Sequence, residues 1–191
     1  MHKPNNPGNY VTDFSHWVYS LYNKSYPSSI TKDAQGEKYI NAKRLSSQFK
    51  PPNDWKLLYK DLGAGNKNAK KINKLQIKEK YLVGKPDLVL QNIISKQIII
   101  VEVKISDAEI PSDGWPDIRS QLWAYSLIDD WADNKDIILV GEIWGFEKIK
   151  IDGITRSEPF VRQSISWRKG DYEFSEQNRL LFKAFGGVII E

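Results

Sequence analysis

The sequence predicts an α/β fold in which a central mixed β-sheet is flanked by helices. First, residues 84–106, GKPDLVLQNIISKQIIIVEVKIS, have the pattern of an apolar β-hairpin. Second, apolar residues recur every three or four positions from Ile118 to Trp131, which indicates a helix with one buried face. Third, residues 137–144 form another apolar, strand-like run. Strands that alternate with a helix favour a single mixed sheet covered by helices.

The N-terminal third is predicted to be mostly helical. Residues 1–12 are rich in Pro and Asn and are expected to form a flexible arm. A first helix, capped by Asp13 or Ser15, should run to Tyr22, and residues 28–38 are turn-like. Further helices are predicted over residues 39–49 and 54–62, and residues 65–73 form a polar loop or an exposed helix end. We therefore divide one domain, residues 1–191, into the arm, a helical part at 13–74 and a core at 75–191.

The remaining elements complete the predicted core. Residues 75–83 indicate a strand before the hairpin, and SDGWP at 112–116 is typical of a helix start. Residues 149–167 should hold further strands, with turns at Asp152–Gly153 and at Pro159. Ser175 is predicted to cap a last helix that ends at Gly186.

Composition limits the functional classes. The chain has 40% hydrophobic and 27% charged residues, as expected for a soluble globular protein. It has no cysteine, which excludes disulfides, a thiolate nucleophile and cysteine-ligated metals. No apolar run approaches the length of a membrane span and the polar start is not typical of a signal peptide, so we expect no membrane association and a cytoplasmic location.

The net charge of +4 is compatible with a polyanionic partner. Six lysines lie between residues 67 and 80, where they form either a solvated segment or a surface that contacts phosphates.

Three charged residues stand within the apolar hairpin: Asp87, Glu102 and Lys104. Burying a charge without a partner costs several kcal/mol, so these side chains should neutralise one another. A tight turn at Ser95–Lys96 would place Asp87 opposite Lys104, with Glu102 as a diagonal neighbour on the same face. A two-residue shift of register keeps the three together, whereas a one-residue shift separates Asp87 from the other two.

Two neighbouring carboxylates repel each other, and one lysine compensates only in part. A divalent cation resolves this, and a few oxygen ligands with room for water suit Mg²⁺. The alternative is an internal salt bridge between Lys104 and one acid, which leaves the second carboxylate without a function.

Pro86-Asp87 followed by Glu102-Val103-Lys104 resembles the motif of the PD-(D/E)XK nuclease superfamily, whose fold is called restriction-endonuclease-like. Gln121 and Tyr125 are four residues apart and are similar to the Gln-xxx-Tyr helix motif of the recombination-exonuclease branch. The alternative for this pair is an exposed glutamine and a core tyrosine. The resemblance covers roughly residues 75–125.

The resemblance implies a Mg²⁺-dependent DNA nuclease in which Mn²⁺ can substitute. Asp87, Glu102 and the backbone carbonyl of Val103 would be the metal ligands. Many members of the superfamily carry a further acid upstream, for which Glu79 and Asp61 are the candidates here; a surface acid paired with lysines is the alternative for both.

Lys104 would position the attacking water, accept its proton or stabilise the transition-state charge, while Gln121 and Tyr125 would hold the DNA backbone or Lys104. The sequence does not distinguish an endonuclease from an exonuclease, or DNA from RNA as the substrate. It is also compatible with a homodimer and with a separate motor or partner chain. A catalytically silent nucleic-acid-binding or partner-binding module on the same fold is the alternative. The predicted nucleic-acid contacts are Lys70, Lys71, Lys74, Trp115 and Arg119.

Overall fold

The structure, a computed structural model, describes residues 4, 7–22, 51–61, 68–106 and 111–190. Among these residues the helices are α1 Val11–Tyr22, α2 Pro116–Tyr125 and α3 Tyr172–Phe185. The strands are β1 Trp55–Lys60, β2 Lys70–Ile77, β3 Lys80–Gly84, β4 Leu88–Asn92, β5 Ile98–Ile105, β6 Ile137–Ile151, β7 Ile154–Arg168 and β8 Val188–Ile189.

The larger sheet has five strands in the order β1-β4-β5-β6-β7. Strand β5 is antiparallel to β4 and parallel to β6, so the sheet is mixed and the α/β class is confirmed. A strand that is apolar on both faces is stable only where both faces are covered. β5 accordingly lies at the centre of the sheet.

The two faces of β5 belong to different apolar clusters. Ile98 and Ile100 pack with residues of α1, α2 and α3 in the main core. Val101 and Val103 belong to a smaller cluster on the opposite face. Since side chains alternate along a strand, Glu102 is placed on the same face as the described helices.

A second, three-stranded sheet has the order β3-β2-β8, so the prediction of a single sheet is wrong. The predicted strand at 75–83 is divided by a two-residue turn at Lys78 and Glu79, whose φ values are 47° and 65°. β2 and β3 therefore fold back on each other as an antiparallel hairpin. Ile72 of β2 and Leu82 of β3 belong to the main core, which joins both sheets.

The prediction of a helical part over residues 13–74 is wrong in its second half. Residues 55–60 form the edge strand β1, paired with β4, and residues 70–73 open β2. Only Tyr59 is buried along β1, so the segment has no helical core face, and its backbone instead completes the sheet edge. The predictions for residues 28–49 lie outside the described residues.

The predicted N-terminal arm is bound to the protein from residue 9 onward. The Val83 N–H donates to the Asn9 carbonyl at 2.9 Å, and Tyr10 forms a bridge with Val83. α1 then begins at Val11, before either predicted cap. Asp13 lies inside the first turn, where its Oδ2 accepts the Tyr10 N–H at 3.0 Å.

The β4–β5 hairpin has the predicted parity but a longer turn. Leu88 lies opposite Val101, a register two residues away from the predicted one. The Asn92 side chain accepts the N–H groups of Ile94 and Ser95 at 2.9 Å, and this Asx-type turn widens the loop. The shift by two residues keeps Asp87 on the same face as Glu102.

α2 begins at Pro116 as predicted but ends at Tyr125, because the chain continues as tight turns toward Trp131. The hairpin turn at Asp152–Gly153 is confirmed by φ values of 50° and 79°. Pro159 is not a turn: it lies within β7, an edge strand where a missing N–H is tolerated.

α3 is capped by Asp171, whose Oδ1 accepts the Phe174 N–H at 3.0 Å, so the predicted cap at Ser175 is wrong. The predicted helix end is confirmed by Gly186, which adopts a left-handed φ of 103°. None of the helices in the described part of the chain is both long and apolar enough to cross a membrane.

Candidate functional site

A cavity of about 300 Å³ lies where the ends of β3 and β5 meet α1 and α2. Its lining includes the five side chains of the two predicted motifs, Asp87, Glu102, Lys104, Gln121 and Tyr125. Strand β5, helix α2 and the residue just before β4 supply these side chains, so the site exists only in the folded chain.

Asp87 lies between Pro86 and the first residue of β4. Its Oδ2 accepts the Val103 N–H at 2.7 Å, so the carboxylate is fixed against the backbone of β5. Its carbonyl accepts the Asp61 N–H at 3.1 Å, which brings β1 to the same point. The predicted role of the Val103 carbonyl as a metal ligand stays a prediction.

Glu102 and Lys104 point into the cavity from consecutive positions on one face of β5. The Lys104 Nζ lies 2.6 Å from Glu102 Oε1, and the Glu102 side chain is only 4% exposed, against 22% for Lys104. The salt bridge between Lys104 and one acid, which was the alternative to a metal site, is therefore formed. The buried carboxylate is held at the base of the cavity, and the amine lies nearer to solvent.

Gln121 holds the same carboxylate from the helix side. Its Nε2 donates to Glu102 Oε1 at 2.7 Å and to the Tyr125 hydroxyl at 2.9 Å. Gln121 is buried, so the alternative of an exposed glutamine is wrong, whereas the tyrosine does belong to the core. Burial, and then the nearby charge of Glu102, raises the pKa of Tyr125 well above its usual value of 10.0. The phenol is therefore a neutral group that positions Gln121.

The structure separates the two candidates for an upstream acid. Asp61 lines the cavity and pairs with Lys85, whose Nζ lies 2.9 Å from Asp61 Oδ1. Glu79 is exposed in the β2–β3 turn, at the far end of β3 from Gly84, a separation of about 16 Å along the strand. Glu79 as a metal ligand is therefore wrong for this cavity, because the strand that we predicted to reach the site folds back as a hairpin.

The three predicted lysine contacts differ in position. Lys70 pairs with Asp130 at 2.5 Å, and the Nζ of Lys71 lies 3.8 Å from the centre of the Tyr81 ring. Lys74 is exposed and lies near Lys169. Burial of Lys169, and then the charge of Lys74, lowers the pKa of Lys169. Only Lys70 and Lys71 are at the end of β2 that pairs with the cavity residues Val83 and Gly84.

Trp115 as a nucleic-acid contact is wrong because its ring is buried, whereas Arg119 stays a prediction. Trp115 is 3% exposed and belongs to the main core, since its ring fills space at the start of α2. Arg119 is bound between α2 and α3, where its Nη1 lies 3.1 Å from Asp113 and its Nη2 donates to Gln177. Both side chains stabilise the packing of elements, and neither is among the described residues that line the cavity.

Lys85 and Tyr59 were missed by the sequence analysis. Lys85 stands two residues before Asp87, and this spacing could have identified it as a cavity residue. Burial, then the charges of Asp61 and Asp87, raise the pKa of Tyr59 to about 12. Tyr59 remains a hydrogen-bond donor, and its hydroxyl donates to the Asn68 carbonyl at 3.0 Å.

The donor set fits a hard divalent cation. The described lining holds three carboxylates, those of Asp61, Asp87 and Glu102, against two ammonium groups, those of Lys85 and Lys104. Within the described ranges no three Asp, Glu or His side chains cluster tightly enough to form a complete metal site. Mg²⁺ commonly uses only one or two protein carboxylates and keeps several waters, which this arrangement allows.

No known protein-family model matches the chain, and no curated protein matches it in sequence.

Proposed function

We propose that the protein is a Mg²⁺-dependent nuclease that hydrolyses phosphodiester bonds of DNA on a restriction-endonuclease-like fold. The observation that carries the proposal is the meeting of Asp87, Glu102, Lys104, Gln121 and Tyr125 in one cavity. A salt bridge alone needs one acid and one amine. This cavity has three acids against two lysines, and this excess of negative charge favours a bound cation.

Asp87 and Glu102 are the residues that would hold the ion. An ionised carboxylate has about four acceptor positions, so it can bind a cation while it keeps a hydrogen bond. When bound, Mg²⁺ polarises a phosphodiester oxygen and lowers the pKa of a coordinated water.

Lys104 is the residue placed to act on the reacting groups. Its amine is fixed by Glu102 and is partly exposed to the cavity, so it can hydrogen-bond to an attacking water and stabilise negative charge on the phosphate. We favour these roles over general-base catalysis, because the neighbouring acids stabilise the protonated amine.

Gln121 and Tyr125 act on the same chemistry indirectly. Gln121 restricts the rotation of the Glu102 carboxylate through its 2.7 Å bond, and Tyr125 fixes the Gln121 amide. These are positioning residues, because both are buried, Gln121 contacts the acid and Tyr125 contacts Gln121.

The test is magnesium-dependent degradation of linear and circular plasmid by the full chain. Loss of linear DNA alone indicates an exonuclease, and nicking of circles indicates an endonuclease. Lys104→Ala and Lys104→Gln should both abolish cleavage, and the glutamine keeps a hydrogen-bond donor near Glu102. Lys150→Ala, at an exposed position of β6, is the matched control and should keep the wild-type rate.

Wild-type rates in both Lys104 variants would contradict the assignment. No degradation by the wild-type chain with Mg²⁺ or Mn²⁺ would favour the alternative, a catalytically silent nucleic-acid-binding or partner-binding module.

A further inference from the structure

Two partly exposed tyrosines lie beside the cavity on the side formed by α1 and β3. Tyr10 lines the cavity and is 37% exposed, and Tyr81 is 38% exposed. A partly exposed tyrosine presents an aromatic face to solvent, so two such rings beside a candidate catalytic site suggest a surface for a planar ligand.

Backbone pairing places both rings on one face. Tyr10 forms a parallel bridge with Val83, and paired residues point their side chains to the same side of a sheet. Tyr81 is two residues before Val83 in β3, so it points to that side as well, about 6.6 Å along the strand. The tyrosines are therefore diagonal neighbours on a surface that leads into the cavity through Val83.

The ammonium group of Lys71 lies on the same face. Lys71 is paired with Val83 across the β2–β3 hairpin, and its Nζ lies 3.8 Å from the centre of the Tyr81 ring. An ammonium on one face of an aromatic ring leaves the other face for a stacked base, and it supplies a charge for a neighbouring phosphate.

Hydrogen bonds hold the backbone that carries the two tyrosine rings. Asn9 binds β3 twice, through its carbonyl to the Val83 N–H at 2.9 Å and through its Nδ2 to the Tyr81 carbonyl at 3.2 Å. The Tyr10 N–H donates to Asp13, so the residue is also fixed to the first turn of α1. Platforms that are held in place lose little conformational freedom when a ligand binds.

We propose that Tyr10, Tyr81 and Lys71 form a stacking track that binds single-stranded DNA and directs it into the catalytic cavity. Proteins that bind single strands combine aromatic platforms with cations along the backbone, and bases stack on them with little regard to sequence. In duplex DNA the base faces are already stacked, so the track selects strands whose bases are unpaired. The inference rests on the proposed nuclease function and names the substrate class of that site.

The test measures fluorescence anisotropy of a labelled, mixed-sequence single-stranded oligonucleotide with the full-length Lys104→Ala protein, which prevents cleavage. Tyr10→Ala and Tyr81→Ala should each raise the Kd by about 5- to 150-fold. Tyr172→Ala is the matched control, because Tyr172 is 81% exposed at the start of α3. It should bind as tightly as the parent.

Two further measurements separate stacking from loss of structure. Tyr10→Phe and Tyr81→Phe keep the rings and should keep the affinity. An oligonucleotide of the same length made of abasic residues should bind the parent weakly, and the Tyr→Ala replacements should weaken that binding no further.

Unchanged Kd values in both Tyr→Ala variants, or tighter binding of duplex DNA than of the single strand, would overturn the track. Because binding is measured without cleavage, its result is distinct from that of the plasmid assay. If the wild-type protein cleaves DNA but the Tyr→Ala replacements leave the Kd unchanged, the track is refuted and the nuclease proposal is not. If the Tyr→Ala replacements raise the Kd but the wild-type protein does not cleave DNA, the nuclease proposal is refuted and the track is not.

Discussion

Replacing Gln121 by leucine tests whether the site is a single hydrogen-bonded unit. The replacement removes two buried bonds made by one amide nitrogen, at 2.7 Å to Glu102 and at 2.9 Å to Tyr125. A hydrogen bond to a charged group contributes about 1.5–3 kcal/mol, and one between neutral groups about 0.5–1.5 kcal/mol. Gln121→Leu should therefore lower the free energy of unfolding by about 2–4.5 kcal/mol.

Thermal unfolding measures this loss directly. For a chain of this length, each kcal/mol moves Tm by about 2–4 °C, so we expect Tm to fall by about 4–18 °C. Gln97→Leu is the matched control, because Gln97 also donates to a carboxylate, that of Asp136 at 3.0 Å, but on the surface. The control should change stability by no more than about 0.5 kcal/mol.

The double variant Gln121→Leu/Tyr125→Phe adds a second criterion. Both single replacements remove the bond between these two side chains, so their effects should sum to more than the effect of the double variant, by about 0.5–1.5 kcal/mol. In the cleavage assay, Gln121→Leu should lower kcat more than it changes KM. A Tm equal to that of the wild type, or fully additive effects, would refute the linked arrangement of Glu102, Gln121 and Tyr125.

Three other predictions follow from the same region. A Cβ on Gly84 would lie 2.6 Å from the Tyr125 ring and 2.8 Å from Val11, so Gly84→Ala should destabilise the fold by about 1–3 kcal/mol in urea unfolding. Gly170→Ala, with open space around it, should be neutral, and equal effects of the two would contradict the packing. Burial raises the pKa of Tyr125, so the unfolded chain ionises first, near pH 10; stability should fall above that pH by up to about 1.4 kcal/mol per pH unit and be insensitive to this group below it. Tyr125→Phe should make the alkaline fall in Tm shallower, and an unchanged slope would count against the shift. Mg²⁺ at 100 times its Kd should stabilise the fold by about 2.7 kcal/mol, and Asp87→Asn should abolish the gain in Tm; the same gain in both proteins would place the ion elsewhere.

Local pattern was sufficient for the elements with strong apolar periodicity. β5 has an uninterrupted apolar run, and its place at the centre of the sheet follows from the need to cover both faces. The two-residue period of a strand fixed which side chains share its face, so Asp87, Glu102 and Lys104 could be grouped although the turn was misjudged.

Where the signal was weak, contacts distant in sequence decided the outcome. Residues 55–60 have an ambiguous apolar spacing, and pairing with β4 makes them a strand rather than a helix. In the sequence, Glu79 and Asp61 are equivalent candidates for the upstream acid. The β2–β3 turn places Glu79 far from the cavity, whereas a backbone hydrogen bond to Asp87 places Asp61 at it.

The sequence by itself determined the α/β class and the grouping of Asp87, Glu102 and Lys104 on one face, because periodicity and parity are properties of the local chain. The tertiary structure alone decided that Tyr10 and Lys85 join the cavity, that Trp115 is buried in the core and that Arg119 is bound between helices. Burial and the partners of a charge depend on which elements pack together, and that packing is a property of the whole fold.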